Sequence, residues 1–471
     1  MPVIGSIMVP HPPLIVPAVG GGEEKQVAET IKSYEKAAEF IAGLKPDTLV
    51  VISPHAVMYS DYFHISPGND AVGSFADFMA PDIRFEVEYD SELVSEICRI
   101  AESEDFPAGT LGERNAALDH GTMVPLWFLT RAYTENKLIC KEKPNLRIIR
   151  IGLSGLPLRT HYVLGQIIQK AASCLDRRVA VIASGDLSHK LQSYGPYGFA
   201  EEGPEYDRRI MDVMGKASFC ELFDFDEAFC DKAAECGHRS FVIMAGTMDG
   251  YDVSPEKLSH EDVTGVGYGI VTFLTGEPDG KRKYLDEYDK KEDIAALERK
   301  NSEDACVRLA RQTLEYYFEH GSKMALPDDI SGEMKDKRCG VFVSLHEYGR
   351  LRGCIGTIEP TTRSFGEEII QNAVSAAFHD PRFDPLKRED LNHLEYSVDE
   401  LSPIEDDVTE DMLDPSIYGV IVSKGSRIGL LLPDLDGVDT AEQQISIAKQ
   451  KAGIGKNEDV RLSRFTVTRH K

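Results

Sequence analysis

The sequence predicts an α/β domain with a central sheet covered by helices, followed by a smaller α+β domain. Three observations predict this. Short, continuous β-branched runs alternate with amphipathic stretches over the first ~275 residues. A charged break containing glycine and proline follows, beginning Glu277-Pro278-Asp279-Gly280-Lys281-Arg282-Lys283. Beyond it, shorter strand and helix patterns are packed closely in sequence. The 471 residues, against roughly 150 for a typical domain, fit two or three units. The division is therefore 1–276 for the first domain, 277–294 for a solvated linker and 295–471 for the second domain.

Each element has a local reason. A helical pattern from about Lys25 to Leu44 leads into Thr48-Leu49-Val50-Val51-Ile52-Ser53, a run short enough and branched enough to be a buried strand. Arg147-Ile148-Ile149-Arg150-Ile151-Gly152-Leu153 and Val179-Ala180-Val181-Ile182-Ala183-Ser184 have the same character, with a helix predicted from about Tyr162 to Leu175 between them. In the second domain the patterns predict a helix over 302–319 and a strand over 340–346. A turn at Tyr348-Gly349-Arg350 then leads into Leu351-Arg352-Gly353-Cys354-Ile355-Gly356. A helix near 364–378, strands near 394–401 and 418–422, and a helix near 441–451 complete it.

Composition excludes several classes of function. The net charge of −27 repels phosphate backbones and anionic lipid, so neither nucleic acid nor a membrane surface is an expected partner. No run of about 18 apolar residues occurs, and the start of the chain lacks the basic region and apolar core of a signal peptide. The nine cysteines are scattered without a Cys-x-x-Cys pair, as expected of reduced thiols in a cytoplasmic protein.

Four histidines occupy strand ends or loops rich in glycine and proline. They are His11 in Val9-Pro10-His11-Pro12-Pro13, His55 in Ile52-Ser53-Pro54-His55, His120 in Leu118-Asp119-His120-Gly121, and His189 in Gly185-Asp186-Leu187-Ser188-His189. Parallel strands deliver their carboxyl ends to one rim, where ligands usually bind. Imidazole is both the commonest metal ligand and the side chain best suited to proton transfer near neutral pH. Two such rings plus a carboxylate would make the face that leaves iron open to substrate and dioxygen. His64, His161, His238 and His260 are read as structural or solvated.

This ordered set of motifs, spanning about residues 1–275, resembles the class III extradiol ring-cleavage dioxygenases. These are the LigB-like proteins, whose superfamily includes the Memo proteins. The resemblance implies His11 and His55 as ligands of Fe(II), with Zn, Cu or Mn as alternative ions. It implies His120 as a hydrogen-bond donor and His189 as acid/base. Asp186 either orients His189 or serves the turn. For the third ligand the resemblance points to Glu235 in Ala233-Ala234-Glu235-Cys236-Gly237-His238, while Cys236 matches the Memo pattern and would favour softer ions. The implied substrates are a catechol-type diol or an enediol and dioxygen. The alternative is a metal-binding redox protein without ring cleavage.

In the second domain, Leu351-Arg352-Gly353-Cys354-Ile355-Gly356, Ala377-Phe378-His379-Asp380-Pro381-Arg382-Phe383 and Gly429-Leu430-Leu431-Leu432-Pro433 resemble the AMMECR domain. The pair of domains resembles the A-component family of the AmmeMemoRadiSam system, which implies a radical SAM partner. The LigB-like fold further implies a homodimer. Arg352, Cys354 and Arg382 are candidates for a small anionic-ligand or nucleophilic site, against the competing reading of a tight turn with a buried thiol.

Overall fold

The computed structural model describes residues 2–135, 147–347, 350–435 and 437–471. The turn expected at Tyr348-Gly349 and the thiol of Cys140 lie outside these residues. The chain divides into two compact units, Met1–Asp289 and Lys290–Lys471.

The first unit is built on an eight-stranded mixed sheet. Its strands run in the order Asp70–Phe75, Ala80–Tyr89, Arg147–Gly152, Thr48–Ser53, Val179–Ser184, Val3–Val9, Tyr268–Pro278, Tyr251–Glu261. The five strands from Ala80–Tyr89 to Val3–Val9 pair in parallel, and the outer pairs are antiparallel. Alternate residues of the central strands enter two separate cores. Val50, Ile52, Ile149, Ile151, Val181 and Ala183 pack on one side, while Leu49, Val51, Ile148, Ala180 and Ile182 pack on the other. A strand buried on both faces is predominantly apolar, which is why these runs read as near-continuous rather than alternating; the buried Arg150 is satisfied by Ser66 Oγ and by the Asn115 and Ala117 carbonyls. Helices Ala28–Leu44 and Leu158–Cys174 are the two amphipathic segments expected from the pattern; the second begins four residues early, behind Pro157. The antiparallel flanks carry weaker patterns and are not evident in the sequence.

The expected linker is largely structured. Its first residues end the strand Tyr268–Pro278, and from Tyr284 the chain forms a helix to Ser302. Its Glu, Lys, Arg, Ala and Leu are good helix formers, and only Leu285 of this helix is buried. The boundary between the units therefore falls inside a helix rather than in a coil.

The second unit contains two four-stranded antiparallel sheets. One comprises Arg350–Thr357, Val341–Glu347, Leu394–Leu401 and Val467–His470, with helices Ala305–His320 and Phe365–Phe378 packed on one face. The other comprises Glu405–Val408, Arg461–Phe465, Gly419–Lys424 and Arg427–Leu431, covered by helix Ala441–Lys451. Caps set the helix starts: Asp304 accepts from the Cys306 and Val307 N–H groups, Ser364 from Glu367, and Thr440 and Gln443 form a capping box. Among the described residues no helix is long and apolar enough to cross a membrane.

The two-sided core and the polar helix make opposite predictions. Ile182, fully buried, is expected to lose about 2–5 kcal/mol on mutation to Ala. Ile294→Ala, on the solvated helix, should change stability by less than about 0.5 kcal/mol. Urea denaturation of both variants measures this contrast.

Candidate metal centre

The site is assembled where three parallel strands end. Val9 pairs with Ser184, and Ile52 with Ala183, so the residues that follow each strand emerge at one rim. His11 and His55 meet there, with their Nε2 atoms 3.0 Å apart. Cys236 Sγ lies 3.6 Å from His11 Nε2. Ligand atoms of these three residues all lie within 4.8 Å of one another. A cation about 2.0–2.1 Å from each nitrogen and about 2.3 Å from sulfur fits such separations. His11 is buried and His55 is exposed, so the centre opens to solvent on the His55 side.

Burial, followed by the neighbouring His55, pushes the His11 pKa down to about 3. Burial and then the charges of His55 and His11 push His120 down to about 4. Burial also lowers His55. All three rings are therefore neutral near pH 7, and a neutral imidazole presents a lone pair to a metal.

The tautomer of His11 is set by a relay that sequence reading missed. Pro125 sits inside helix His120–Glu135 and has no N–H to donate to the Gly121 carbonyl four residues earlier. That carbonyl accepts instead from Ser184 Oγ at 2.6 Å. With its proton committed, Ser184 Oγ accepts from His11 Nδ1 at 3.0 Å, which leaves Nε2 as the lone-pair nitrogen facing the centre. Ser184 ends a predicted strand, and Pro125 follows His120 by five residues, but neither position carries a local motif for this role.

His120 lies alongside, its ring centroid 4.0 Å from that of His55 and 5.5 Å from that of His11. It opens its helix rather than lying in a loop. Asp119 caps that helix, accepting from Thr122 N at 3.0 Å and from Ser53 Oγ at 2.5 Å. The buried Arg150 holds the approach to this helix through the carbonyls of Asn115 and Ala117. His189 donates from Nδ1 to the Ala234 carbonyl, leaving Nε2 available as a base.

Two expected roles are corrected. The Glu235 carboxylate does not join the two histidines. Its Oε2 accepts the His238 N–H at 2.6 Å and so caps helix His238–Gly246, whose first N–H groups need acceptors. Burial raises the Glu235 pKa to about 7. The next residue, Cys236, reaches the rim instead because the chain crosses closely there. A Cβ on Gly185 would lie 2.1 Å from Gly237 Cα, so only glycine permits the approach. Asp186 does not hydrogen-bond the His189 ring. Its Oδ1 accepts the His11 backbone N–H at 2.8 Å, and its own N–H donates to Cys236 Sγ at 3.3 Å, which makes it a turn residue that binds the rim together.

In the second unit the expected trio is also divided. The sheet register slips by one residue between the Leu345–Gly353 and His346–Leu351 pairs, leaving Arg352 as the extra residue of a bulge. Arg352 donates to the Asp384 carbonyl at 2.8 Å. Arg382 is paired with Asp380 and donates to the Cys354 carbonyl at 3.2 Å, and burial raises the Cys354 thiol pKa. A resting thiolate is disfavoured there.

Comparison with known proteins matches each unit to a family. Residues 5–271 match the family described as the catalytic LigB subunit of aromatic ring-opening dioxygenase. The chain belongs to the LigB family. Residues 307–470 match AMMECR1, so this LigB-family chain carries a C-terminal AMMECR domain. It is 40% identical to protein CA_C1420 of Clostridium acetobutylicum over 99% of both chains. It is 47% identical to a Thermotoga maritima protein over 35% of this chain and 96% of that one. Among solved structures, uncharacterized protein PH0010 from Pyrococcus horikoshii is 32% identical, covering 35% of this chain and 88% of its own, with a TM-score of 0.33. Uncharacterized protein JW3007 from Escherichia coli K12 is 13% identical, covering 57% of this chain and 99% of its own, with a TM-score of 0.34.

Two predictions follow from these contacts. Pro125→Ala restores an N–H that competes with Ser184 for the Gly121 carbonyl. Metal affinity should fall about 10–100-fold with the fold intact, as for other residues that orient a ligand; unchanged affinity in a competitive chelator titration would rule the relay out. Burial, the largest cause, lowers the pKa of His238 to about 4, and its Nε2 donates to the Leu222 carbonyl at 3.0 Å. A histidine held below its unfolded pKa gives stability that is complete above about pH 6.5 and lost as pH falls towards 4. The stability difference between the metal-free protein and its His238→Gln variant should therefore shift by about 1.4 kcal/mol per pH unit across that window, always towards the variant as acid is added.

Proposed function

We propose that the first unit is a metal-dependent oxidoreductase whose ligands are His11, His55 and Cys236. The observation that carries this is the thiol of Cys236, 3.6 Å from His11 Nε2, as the third donor in place of the carboxylate that the resemblance implied. A thiolate beside two imidazoles prefers a soft or borderline ion such as Cu or Zn over the Fe(II) of a two-histidine, one-carboxylate face. A bound transition metal would supply Lewis acidity or a one-electron couple at the rim.

The chain's own residues define what can react there. The open side at His55 admits a hydroxylated substrate to the metal face. His189, held through Nδ1 by the Ala234 carbonyl, presents its free Nε2 as the acceptor of a hydroxyl proton. His120, neutral and packed against His55, offers an N–H to a developing oxygen charge. The His11 relay and the Asp186 backbone bond keep the first ligand from rotating away.

A second reading is favoured by the family match itself: extradiol cleavage of a catechol-type or enediol substrate by Fe(II) and dioxygen. A cysteine ligand beside activated oxygen is exposed to oxidation, which weighs against it. In either case a radical SAM protein is the proposed partner and a homodimer the proposed assembly.

Anaerobic purification with metal analysis decides between the ligand sets. Cys236→Ser should lose most of its bound metal, while Glu235→Gln should retain it and lose only the stability of a helix cap, about 0.5–2 kcal/mol. Metal loss in Glu235→Gln alone would overturn the assignment. Oxygen uptake with a panel of catechols, absent in the first reading and stoichiometric in the second, separates the two chemistries.

A further inference from the structure

A second group of metal-type donors lies wholly within the second unit. Asp304 precedes helix Ala305–His320 and caps it, its Oδ1 accepting from Cys306 N at 2.8 Å and from Val307 N at 2.9 Å. The cap fixes the carboxylate, and its other oxygen, Oδ2, accepts from His470 Nδ1. His470 ends the strand Val467–His470, whose pairing with Leu394–Leu401 sets it opposite Val398. The helix start and the final strand thus bring together residues 166 positions apart.

Cys306 completes the group. It is buried, and one donor atom each of Asp304, Cys306 and His470 lies within 4.8 Å of the other two. Two features set this group apart from a helix cap with an ion pair. The second nitrogen of the His470 ring, Nε2, is buried and has no hydrogen-bond partner among the described residues, a costly state for a polar atom. The thiol also lies among carboxylates: burial, then Asp304, Glu400 and Glu333, push its pKa up to about 12. Lys337 is committed to Glu400 and Glu333, at 2.7 and 2.9 Å, so among the described residues Asp304 Oδ2 meets only the imidazole. A cation among these donors would draw off the thiol proton, compensate the carboxylates and occupy a ring nitrogen. Asp304 and His470 are partly exposed, which gives an ion a way in from solvent.

We propose that Asp304, Cys306 and His470 form a binding site for a divalent cation of borderline softness such as zinc, which takes sulfur, nitrogen and oxygen donors together. Three protein donors leave a fourth position to water. Binding releases the Cys306 proton to solvent. The ion ties the start of helix Ala305–His320 to the final strand and so stabilises the second unit. The site is independent of the centre at His11, His55 and Cys236, which lies in the first unit.

Titration of the metal-free, full-length Cys236→Ala protein with cobalt(II) tests the site, because that background removes the thiol of the first centre. A thiolate-to-cobalt charge-transfer band should appear and saturate, and added zinc should abolish it by displacement. Adding Cys306→Ser should remove the band, and adding His470→Gln should weaken cobalt binding at least tenfold. Zinc should raise the unfolding midpoint of the Cys236→Ala protein and leave that of the form also carrying His470→Gln unchanged. Circular dichroism establishes that each variant is folded. No band with Cys236→Ala, a band that survives Cys306→Ser, or undiminished affinity with His470→Gln would each overturn the proposal. A band confined to proteins that retain Cys236 would place the thiolate ligand in the first unit and overturn it as well.

Discussion

The parallel register of three strands governs the candidate metal centre. Val3–Val9, Val179–Ser184 and Thr48–Ser53 are neighbours in the sheet, and their shared direction brings His11, Ser184 and His55 to one edge although 173 residues separate the first two. Each strand is buried on both faces, so a slip in register would expose one apolar set and displace every ligand together. The rigidity of the rim is a consequence of the core beneath it.

A second layer of polar contacts converts that rim into a defined arrangement of atoms. Buried polar groups need partners, and here the partners are shared in sequence: the Gly121 carbonyl, freed by Pro125, receives Ser184, and Ser184 receives His11. Asp119 joins Ser53, at the end of one strand, to the first turn of the helix that carries His120. Asp186 bridges His11 and the turn bearing Cys236. His11 and the turn bearing Cys236 are thereby held by residues at neighbouring strand ends, and the neutral state of the His11 and His120 rings follows from the burial this requires.

The two units treat their thiols differently within similar physics. Burial raises the pKa of both Cys236 and Cys354, so neither is a thiolate by virtue of its surroundings. Cys236 faces two imidazoles, where a cation would draw off its proton. Cys354 accepts a hydrogen bond from Ser344 and sits beside an already paired arginine, so it has the character of a wall residue.

The sequence by itself determined the class of both units, the central strands and the histidines of the rim. Continuous runs such as Thr48–Ser53 and Val179–Ser184 have few alternatives to buried parallel strands, and histidines just beyond them must lie near one edge. The antiparallel flanks, the helical character of 284–302 and the second sheet of the C-terminal unit carry weaker local patterns. Which of Glu235 and Cys236 lies beside the two histidines is set only in three dimensions. Both residues lie in the same turn, and one position separates a helix cap from a candidate metal ligand. The close crossing of Gly185 and Gly237 fixes which of them faces the histidines, and that contact joins segments 52 residues apart. The same holds for Arg352, which a single-residue bulge turns away from Cys354. Periodicity reports which face of an element is buried, whereas a ligand set depends on distances between elements that no local pattern encodes.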